Sequence, residues 1–136
     1  MNSNMLRRLV TAGAKTSMES ISPLKEFCVA FEDDGETGYF YALNGSRRDN
    51  KILDVVNIYT VDQICDPLIR CEVRIMWSND GSKAMLLMDE YSHAVFDFKE
   101  KRGYCRTNYP NVPRRESDTW HSEDHSWSDS VFKWFC

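Results

Sequence analysis

Four carboxylates are crowded into one short segment, the acidic turn, at Glu32, Asp33, Asp34 and Glu36. Like charges this close repel one another, so the cluster costs stability unless a cation or a basic partner relieves it. Carboxylate oxygens are ligands for Ca²⁺, but the acidic turn lacks the spacing of acids, glycine and distant glutamate found in an EF-hand loop. A solvated turn is the simpler interpretation, and metal binding is an alternative to it.

Two tyrosines, Tyr39 and Tyr41, alternate just beyond the acidic turn. Aromatic side chains beside charge are typical of protein interfaces. A turn needs only glycine and one Asp or Asn, so turn formation does not explain the additional acids. We therefore predict a contact surface for a basic protein partner, formed by Glu32, Asp33, Asp34, Glu36 and Tyr39. If repulsion among the acids dominates, replacing Asp33 and Asp34 with Asn should raise stability slightly.

A histidine pair, His121 and His125, is the second candidate for chemistry. On a helix, histidines at i and i+4 share a face and can bind a transition metal. The segment between them is polar, it lacks the HExxH pattern, and no third ligand is evident. A metal site at His121 and His125 therefore stays an alternative to an irregular polar segment.

The third candidate combines His93, Asp97 and Cys105, which fall on neighbouring predicted strands. A cysteine beside a histidine is the arrangement that activates a thiolate nucleophile. Cysteines in strands are usually inert packing groups, and no protease signature surrounds Cys105. Glycine-rich phosphate loops are absent: the segment around Gly35 and Gly38 is acidic and would repel phosphate. We predict no cofactor, and we keep a cysteine-based enzyme as an alternative.

The acidic turn must be held by the segments on either side of it. Hydrophobic residues alternate with others over 27–32 and again over 39–43, which predicts two strands with distinct faces. The turn between them contains Gly35 and Gly38, which can adopt positive φ. The dense β-branched residues of 52–61 predict another strand.

A four-strand meander is predicted after this hairpin. Ile69 to Trp77 alternates strictly, and Asn79-Asp80-Gly81 is a strong hairpin signal. The next segment, 83–88, is apolar on both sides and should be a central strand, followed by strands near 93–98 and 104–107. We expect a core that includes Trp77, Phe96, Phe98 and Trp134.

The end of the chain, Ser126 to Phe135, has apolar residues at i, i+4, i+7 and i+8 from Trp127, which predicts a helix. Ser126 and Asp129 could form its capping box. The predicted class is α+β, a mainly antiparallel β-sheet (a meander of hairpins) with a C-terminal α-helix packed on it. We expect a single domain over 1–136, with a lead-in at 1–25, the sheet at 27–107 and the helix at 126–135.

Composition excludes several classes of function. The chain has 136 residues and a net charge of −4, and no window concentrates Lys and Arg, so nucleic acid is a poor partner. No apolar run approaches the ~20 residues that span a bilayer, so no membrane association is expected. The chain has five cysteines, an odd number, and the sequence contains no CxxC motif. This pattern favours reduced thiols and a cytoplasmic location.

Three segments carry a resemblance to a known family: FEDDGETGYFYAL, ILDVVNIYTV and HAVFDFKEKRGYCRTNYP, in this order. Together they resemble small uncharacterised bacterial proteins grouped as a domain of unknown function, from about Phe27 to the C-terminus. The resemblance implies a bacterial, soluble, single-domain protein and assigns no catalytic residue. Our leading hypothesis is a non-enzymatic cytoplasmic protein-binding module of an immunity-type or regulatory kind. The alternative is a metal-dependent or cysteine-based enzyme.

Overall fold

Strands account for most of the chain that the structure describes. The computed structural model describes residues 5–23, 27–43, 52–63, 70–107 and Trp127. These residues form nine strands: β1 Met5–Thr11, β2 Thr16–Ile21, β3 Cys28–Asp33, β4 Thr37–Leu43, β5 Ile52–Thr60, β6 Arg70–Trp77, β7 Lys83–Met88, β8 Tyr91–Asp97 and β9 Arg102–Cys105. A short 3-10 helix, Val61–Gln63, follows β5.

The strands form two antiparallel sheets. One has five strands in the order β1-β6-β7-β8-β9, and the other has four in the order β2-β3-β4-β5. The predicted meander is therefore confirmed as β6 to β9, and β7 lies at the centre of its sheet as the sequence indicated. The turn at residues 12–15 carries the chain from one sheet to the other.

The hydrophobic core lies between the two sheets and draws on both. Phe40 of the four-stranded sheet stacks on Phe96 of the five-stranded sheet, with ring centroids 4.9 Å apart. The predicted burial of Trp77, Phe96 and Phe98 is confirmed, whereas Trp134 lies outside the described residues. The other strands add mainly aliphatic side chains, including Val29, Val56, Val73, Ile75 and Leu86. Burial of this apolar surface is the main stabilising contribution to the fold.

A glycine allows β9 to approach β5 at one side of the core. A Cβ atom on Gly103 would lie 2.7 Å from Asp54 Oδ2 and 2.7 Å from Phe96 Cε1. Beyond it, the Thr107 hydroxyl donates a 2.7 Å hydrogen bond to the carbonyl oxygen of Asn57. The edges of the two sheets are thereby linked at this side.

The predicted α+β class is wrong. Within 5–23, 27–43, 52–63 and 70–107 the structure is antiparallel β-sheet with no α-helix, so this part of the chain is an all-β sandwich. The predicted helix Ser126 to Phe135 lies outside the described residues except for Trp127, which has no regular secondary structure. That prediction relied on apolar spacing, although the segment is rich in Ser, Asp, Trp and Phe, which are mediocre helix formers.

The residues predicted as a lead-in, 1–25, contain two strands. β1 pairs with β6 and β2 pairs with β3, so each provides an edge strand of one sheet. Arg7, Arg8 and Glu19 interrupt the hydrophobic alternation in this part of the sequence. Charged side chains are common on edge strands because they discourage further strand pairing, and they weaken the strand signal in the sequence.

Candidate functional site

The acidic turn connects β3 to β4 at one end of the four-stranded sheet. Glu32 lies directly opposite Tyr39 in the β3–β4 register, and both point away from the core because their neighbours Phe31 and Phe40 are buried inside it. Asp34 and Glu36 are exposed at the tip of the turn. We call this outward surface the acidic face, and it consists of Glu32, Asp34, Glu36, Tyr39 and Tyr41.

Asp33 is placed differently from its acidic neighbours. Its side chain is only 1% exposed. Its Oδ1 accepts the backbone N–H of Gly35 at 2.8 Å, and its Oδ2 accepts the N–H of Gly13 at 2.8 Å and the hydroxyl of Tyr59 at 2.6 Å. The carboxylate thus ties together the β1–β2 turn, the acidic turn and β5. Asp33 positions the acidic face and does not itself present a carboxylate to solvent.

Glycines give Asp33 and Tyr59 the space that this arrangement needs. Gly35 has φ +102°, a backbone conformation that residues with a side chain rarely adopt. A Cβ atom on Gly38 would lie 2.6 Å from the ring of Tyr59, so the tyrosine packs directly on the backbone of β4. Burial and the hydrogen bond to Asp33 raise the pKa of Tyr59 well above its usual range, so its hydroxyl remains a donor at neutral pH.

Asp34 stabilises the tip of the turn while remaining in solvent. Its Oδ1 accepts the backbone N–H groups of Glu36 and Thr37, both at 2.9 Å. These two hydrogen bonds lower the pKa of Asp34, and the nearby charge of Lys15 contributes less. Asp34 is therefore ionised at neutral pH, as a contact with a basic group requires.

The two tyrosines form an aromatic surface beside these carboxylates. The rings of Tyr39 and Tyr41 are 5.8 Å apart between centroids. The Tyr41 hydroxyl donates a 2.9 Å hydrogen bond to Glu32 Oε1, and burial together with this contact raises the pKa of Tyr41. An aromatic ring beside a carboxylate suits a lysine or arginine, which can pair with the charge and stack on the ring.

An open groove of about 530 Å³ runs beside the acidic face. Its lining consists of Lys15, Thr16, Ser17, Glu32, Asp33 and Asp34. A groove of this kind can accept a side chain of a partner. Its lining is mostly polar, so a charged or polar side chain suits it better than an apolar one.

The predicted metal sites receive no geometric support from the described part of the chain. Among residues 5–23, 27–43, 52–63, 70–107 and 127, no group of three His, Cys, Asp or Glu side chains is arranged to hold a metal ion. His121 and His125 lie outside the described residues, so the metal site predicted there stays a prediction.

The structure does not bring Cys105 and His93 together as a catalytic pair. Cys105 faces the core, opposite Ala94, and its Sγ contacts the carbonyl oxygen of Asn57 at 3.6 Å and the Thr107 hydroxyl at 3.2 Å. The ring of His93 instead packs edge-on against Tyr91, with centroids 5.3 Å apart. The carboxylate of Asp97 accepts the backbone N–H groups of the turn that follows β8.

The described part of the chain contains three cysteines that are not in disulfide bonds: Cys28, Cys71 and Cys105. Cys65 and Cys136 lie outside the described residues. Burial and the neighbouring charge of Asp89 raise the pKa of Cys71 to about 12. A thiol with such a pKa is almost entirely protonated at neutral pH and is a poor nucleophile.

His93 should make stability depend on pH. Burial, with a smaller effect from the charge of Arg106, lowers the pKa of His93. Its Nδ1 is buried and has no hydrogen-bond partner among the residues that the structure describes. A histidine whose pKa is lowered on folding adds stability above its unfolded pKa of about 6.5, and this contribution is lost as the pH falls. We expect the urea midpoint to fall less between about pH 7 and about pH 5 in His93→Gln than in the wild type. Equal pH dependence of the two proteins would contradict this assignment.

A basic patch on the other sheet was missed from the sequence. The β1–β6 register places Arg7 directly opposite Arg74 and Leu9 opposite Glu72. Arg7 and Arg70 are exposed, while Arg74 pairs with Glu72 at 2.6 Å. We call this outward surface of the five-stranded sheet the arginine patch, and it consists of Arg7, Leu9, Arg70 and Arg74. No single window of the sequence contains the arginine patch, because its residues lie on β1 and β6, which are far apart along the chain.

Comparison with known proteins gives a family and one curated relative. Residues 10–136 match the family described as "Uncharacterized protein conserved in bacteria (DUF2251)". A protein of Haemophilus influenzae described as "Uncharacterized protein" is 43% identical over 86 residues, which cover 63% of this chain and 53% of the relative. The chain therefore spans about half the length of that relative. No solved structure matches the chain.

In the part of the chain that the structure describes, no helix is long and apolar enough to cross a membrane.

Proposed function

This chain belongs to the DUF2251 family of conserved bacterial proteins, and we propose that it is a non-enzymatic, cytoplasmic protein-binding module of an immunity-type or regulatory kind. In this proposal the acidic face binds a basic protein partner. The observation that carries the proposal is the grouping of Glu32, Asp34 and Glu36 beside Tyr39 on one outward surface. Carboxylates grouped in this way attract basic partners over a distance and accelerate association.

The rigidity of the acidic face supports a role in binding. Asp33 fixes the turn from beneath through three hydrogen bonds, and Asp34 fixes its tip through two more. A surface that is already ordered loses less conformational entropy when a partner binds. Because the scaffold holds the outward carboxylates in place before binding, their contacts with a partner should give a higher affinity.

The charge balance of the acidic face also favours a cationic partner. The face presents Glu32, Asp34 and Glu36. Two cations of the described residues lie beside it: Lys15 lines the groove, and the Arg8 guanidinium donates to the carbonyl oxygen of Ser17, the residue opposite Glu32. The three carboxylates outnumber these two cations, so the described part of this surface keeps an excess of negative charge. A partner lysine or arginine that stacks on Tyr39 would relieve the repulsion and bury the ring.

The enzyme alternative has less support from the described residues. Cys105 packs in the core away from the ring of His93, and Cys71 has a raised pKa. Neither thiol has the electropositive, accessible surroundings that a nucleophile requires. Cys28, Cys71 and Cys105 are not in disulfide bonds, which supports the cytoplasmic location proposed here, because reducing compartments disfavour disulfides.

Affinity capture with matched charge variants tests the proposal. The immobilised proteins are the wild type, Glu32→Gln with Glu36→Gln, and a control, Glu90→Gln with Glu100→Gln, which makes the same change in net charge at exposed turns of the other sheet. From a bacterial lysate at low ionic strength, we expect the wild type and the control to recover the same basic proteins, and the Glu32/Glu36 variant to lose most of them. Equal recovery by all three proteins would refute the proposal.

A further inference from the structure

The arginine patch contains an unfavourable pairing that a partner could relieve. Arg7 and Arg74 are direct cross-strand neighbours, and like charges in this position destabilise a sheet. Glu72 pairs with Arg74, which leaves the positive charges of Arg7 and Arg70 exposed on the same surface. The outer face of the five-stranded sheet thus carries a positive area, whereas the acidic face on the other sheet is negative.

Each charged surface also offers apolar contact. Leu9 in the arginine patch is 60% exposed, and the acidic face has the paired rings of Tyr39 and Tyr41. The exposed Ile21 and Ile52 belong to the row that runs through Cys28 and Leu43, at the end of the four-stranded sheet away from the acidic turn. Apolar contact between two proteins contributes to affinity, and complementary charge raises the rate of association and fixes the relative orientation of the partners.

We propose that the basic surface that binds the acidic face is the arginine patch of a second copy of this chain, whose positive charge is local because the chain as a whole has a net charge of −4. This inference rests on the function proposed above and names the partner. The carboxylates of one copy would lie between the guanidinium groups of Arg7 and Arg74 in the next copy and reduce their mutual repulsion. In return, the two arginines would reduce the repulsion among the carboxylates of the acidic turn. The argument is charge complementarity between two surfaces that the fold places on one molecule.

The positions of the two surfaces determine the kind of assembly. The acidic face and the arginine patch lie on the outer faces of different sheets, so they point in opposite directions from the core. A two-fold dimer cannot pair both surfaces of both copies in this arrangement. The contact is therefore heterologous and head-to-tail, and it leaves one free surface of each kind at the ends of a chain of copies.

Sedimentation velocity of the full chain is the first test. At about 0.01 M ionic strength, where the Debye length is about 30 Å, we expect the weight-average sedimentation coefficient to rise with protein concentration without stopping at a dimer. At about 1 M, where the Debye length is about 3 Å, it should return to the monomer value. A monomer at every concentration in low salt would overturn the inference.

Charge-reversed variants show which surfaces meet. Arg7→Glu with Arg70→Glu leaves acids on both faces, and Glu32→Lys with Glu36→Lys leaves bases on both. We expect each variant alone to be monomeric and an equimolar mixture of the two to associate again. The control, Glu90→Lys with Glu100→Lys, should associate as the wild type does. A mixture that stays monomeric while the wild type associates would exclude these two surfaces as the contact.

The two proposals can fail separately. If the wild type stays monomeric but lysate capture recovers a basic protein that depends on Glu32 and Glu36, the proposed function stands and the self-association is refuted. If the wild type associates through other residues and capture is independent of Glu32 and Glu36, both are refuted. Arg7 and Arg70 are exposed, so their replacement should leave the fold intact, and circular dichroism checks this for each variant.

Discussion

Phe96→Ala should destabilise the protein by about 3–5 kcal/mol, the usual cost of truncating a buried aromatic side chain. Phe96 is fully buried and its ring stacks on Phe40 of the opposite sheet, at 4.9 Å between centroids. The backbone of Gly103 packs against the same ring. The variant would leave a cavity between two sheets whose β-branched neighbours cannot move easily to fill it. Urea denaturation followed by circular dichroism measures the loss.

The matched control for this variant is Leu9→Ala. Leu9 is 60% exposed, so its truncation should change stability by no more than about 0.5 kcal/mol. A loss below about 1 kcal/mol for Phe96→Ala would show that Phe96 does not lie in the centre of the core. Equal losses for the two variants would contradict the assignment of inner and outer faces.

Asp33→Asn should cost about 2–4 kcal/mol, because a buried carboxylate that accepts three hydrogen bonds is replaced by an amide. The amide oxygen can still accept a hydrogen bond, but in either orientation the NH₂ group would point at a backbone N–H that cannot accept, that of Gly35 or that of Gly13. Thermal and urea denaturation at neutral pH measure the change.

Asp34→Asn is the control for this variant, since an asparagine at the tip of the turn can still accept the N–H groups of Glu36 and Thr37. We expect a much smaller effect than for Asp33→Asn. From the sequence, replacing both acids was expected to raise stability slightly, and the burial of Asp33 changes that expectation. Losses of equal size in the two variants would contradict the role assigned to the Asp33 carboxylate.

Hydrophobic alternation predicted much of the sheet structure. The meander of β6 to β9, the strand at β5 and the buried Trp77, Phe96 and Phe98 follow from apolar residues at every second position, with turn residues between the strands. These signals are local, so a single sequence contains them. The pairing of two separate sheets depends on contacts between distant strands, and no local pattern encodes it.

The acidic turn shows what the sequence cannot distinguish. Asp33 and Asp34 are adjacent and chemically identical, yet one is buried beneath the turn and the other is in solvent. The difference depends on Tyr59 and Gly13, which approach Asp33 from β5 and from the β1–β2 turn. The opposition of Arg7 and Arg74 likewise depends on strand register, which is why the sequence showed no basic surface.

The turn between β7 and β8 lies slightly earlier than the sequence predicts: the sequence favours a turn at Glu90 to Ser92, and the structure has it at Asp89 and Glu90. Asp89 and Glu90 both have positive φ, at 51° and 69°, a conformation in which Asn-Gly is usual in two-residue hairpin loops. Asp89 compensates by exchanging hydrogen bonds with the backbone of Glu72 on the neighbouring strand. A turn that depends on such a tertiary contact carries little of the composition by which turns are predicted from sequence.

The rate of association between the protein and its captured partner tests the acidic face most directly. Glu32→Gln with Glu36→Gln is the suitable variant, because it leaves the structural carboxylate of Asp33 in place. Surface plasmon resonance over a range of salt concentrations would compare it with the wild type and with Glu90→Gln and Glu100→Gln. We expect the Glu32/Glu36 variant to associate more slowly and with a weaker dependence on salt, while the control behaves as the wild type. Identical association rates for all three proteins at low salt would contradict the account.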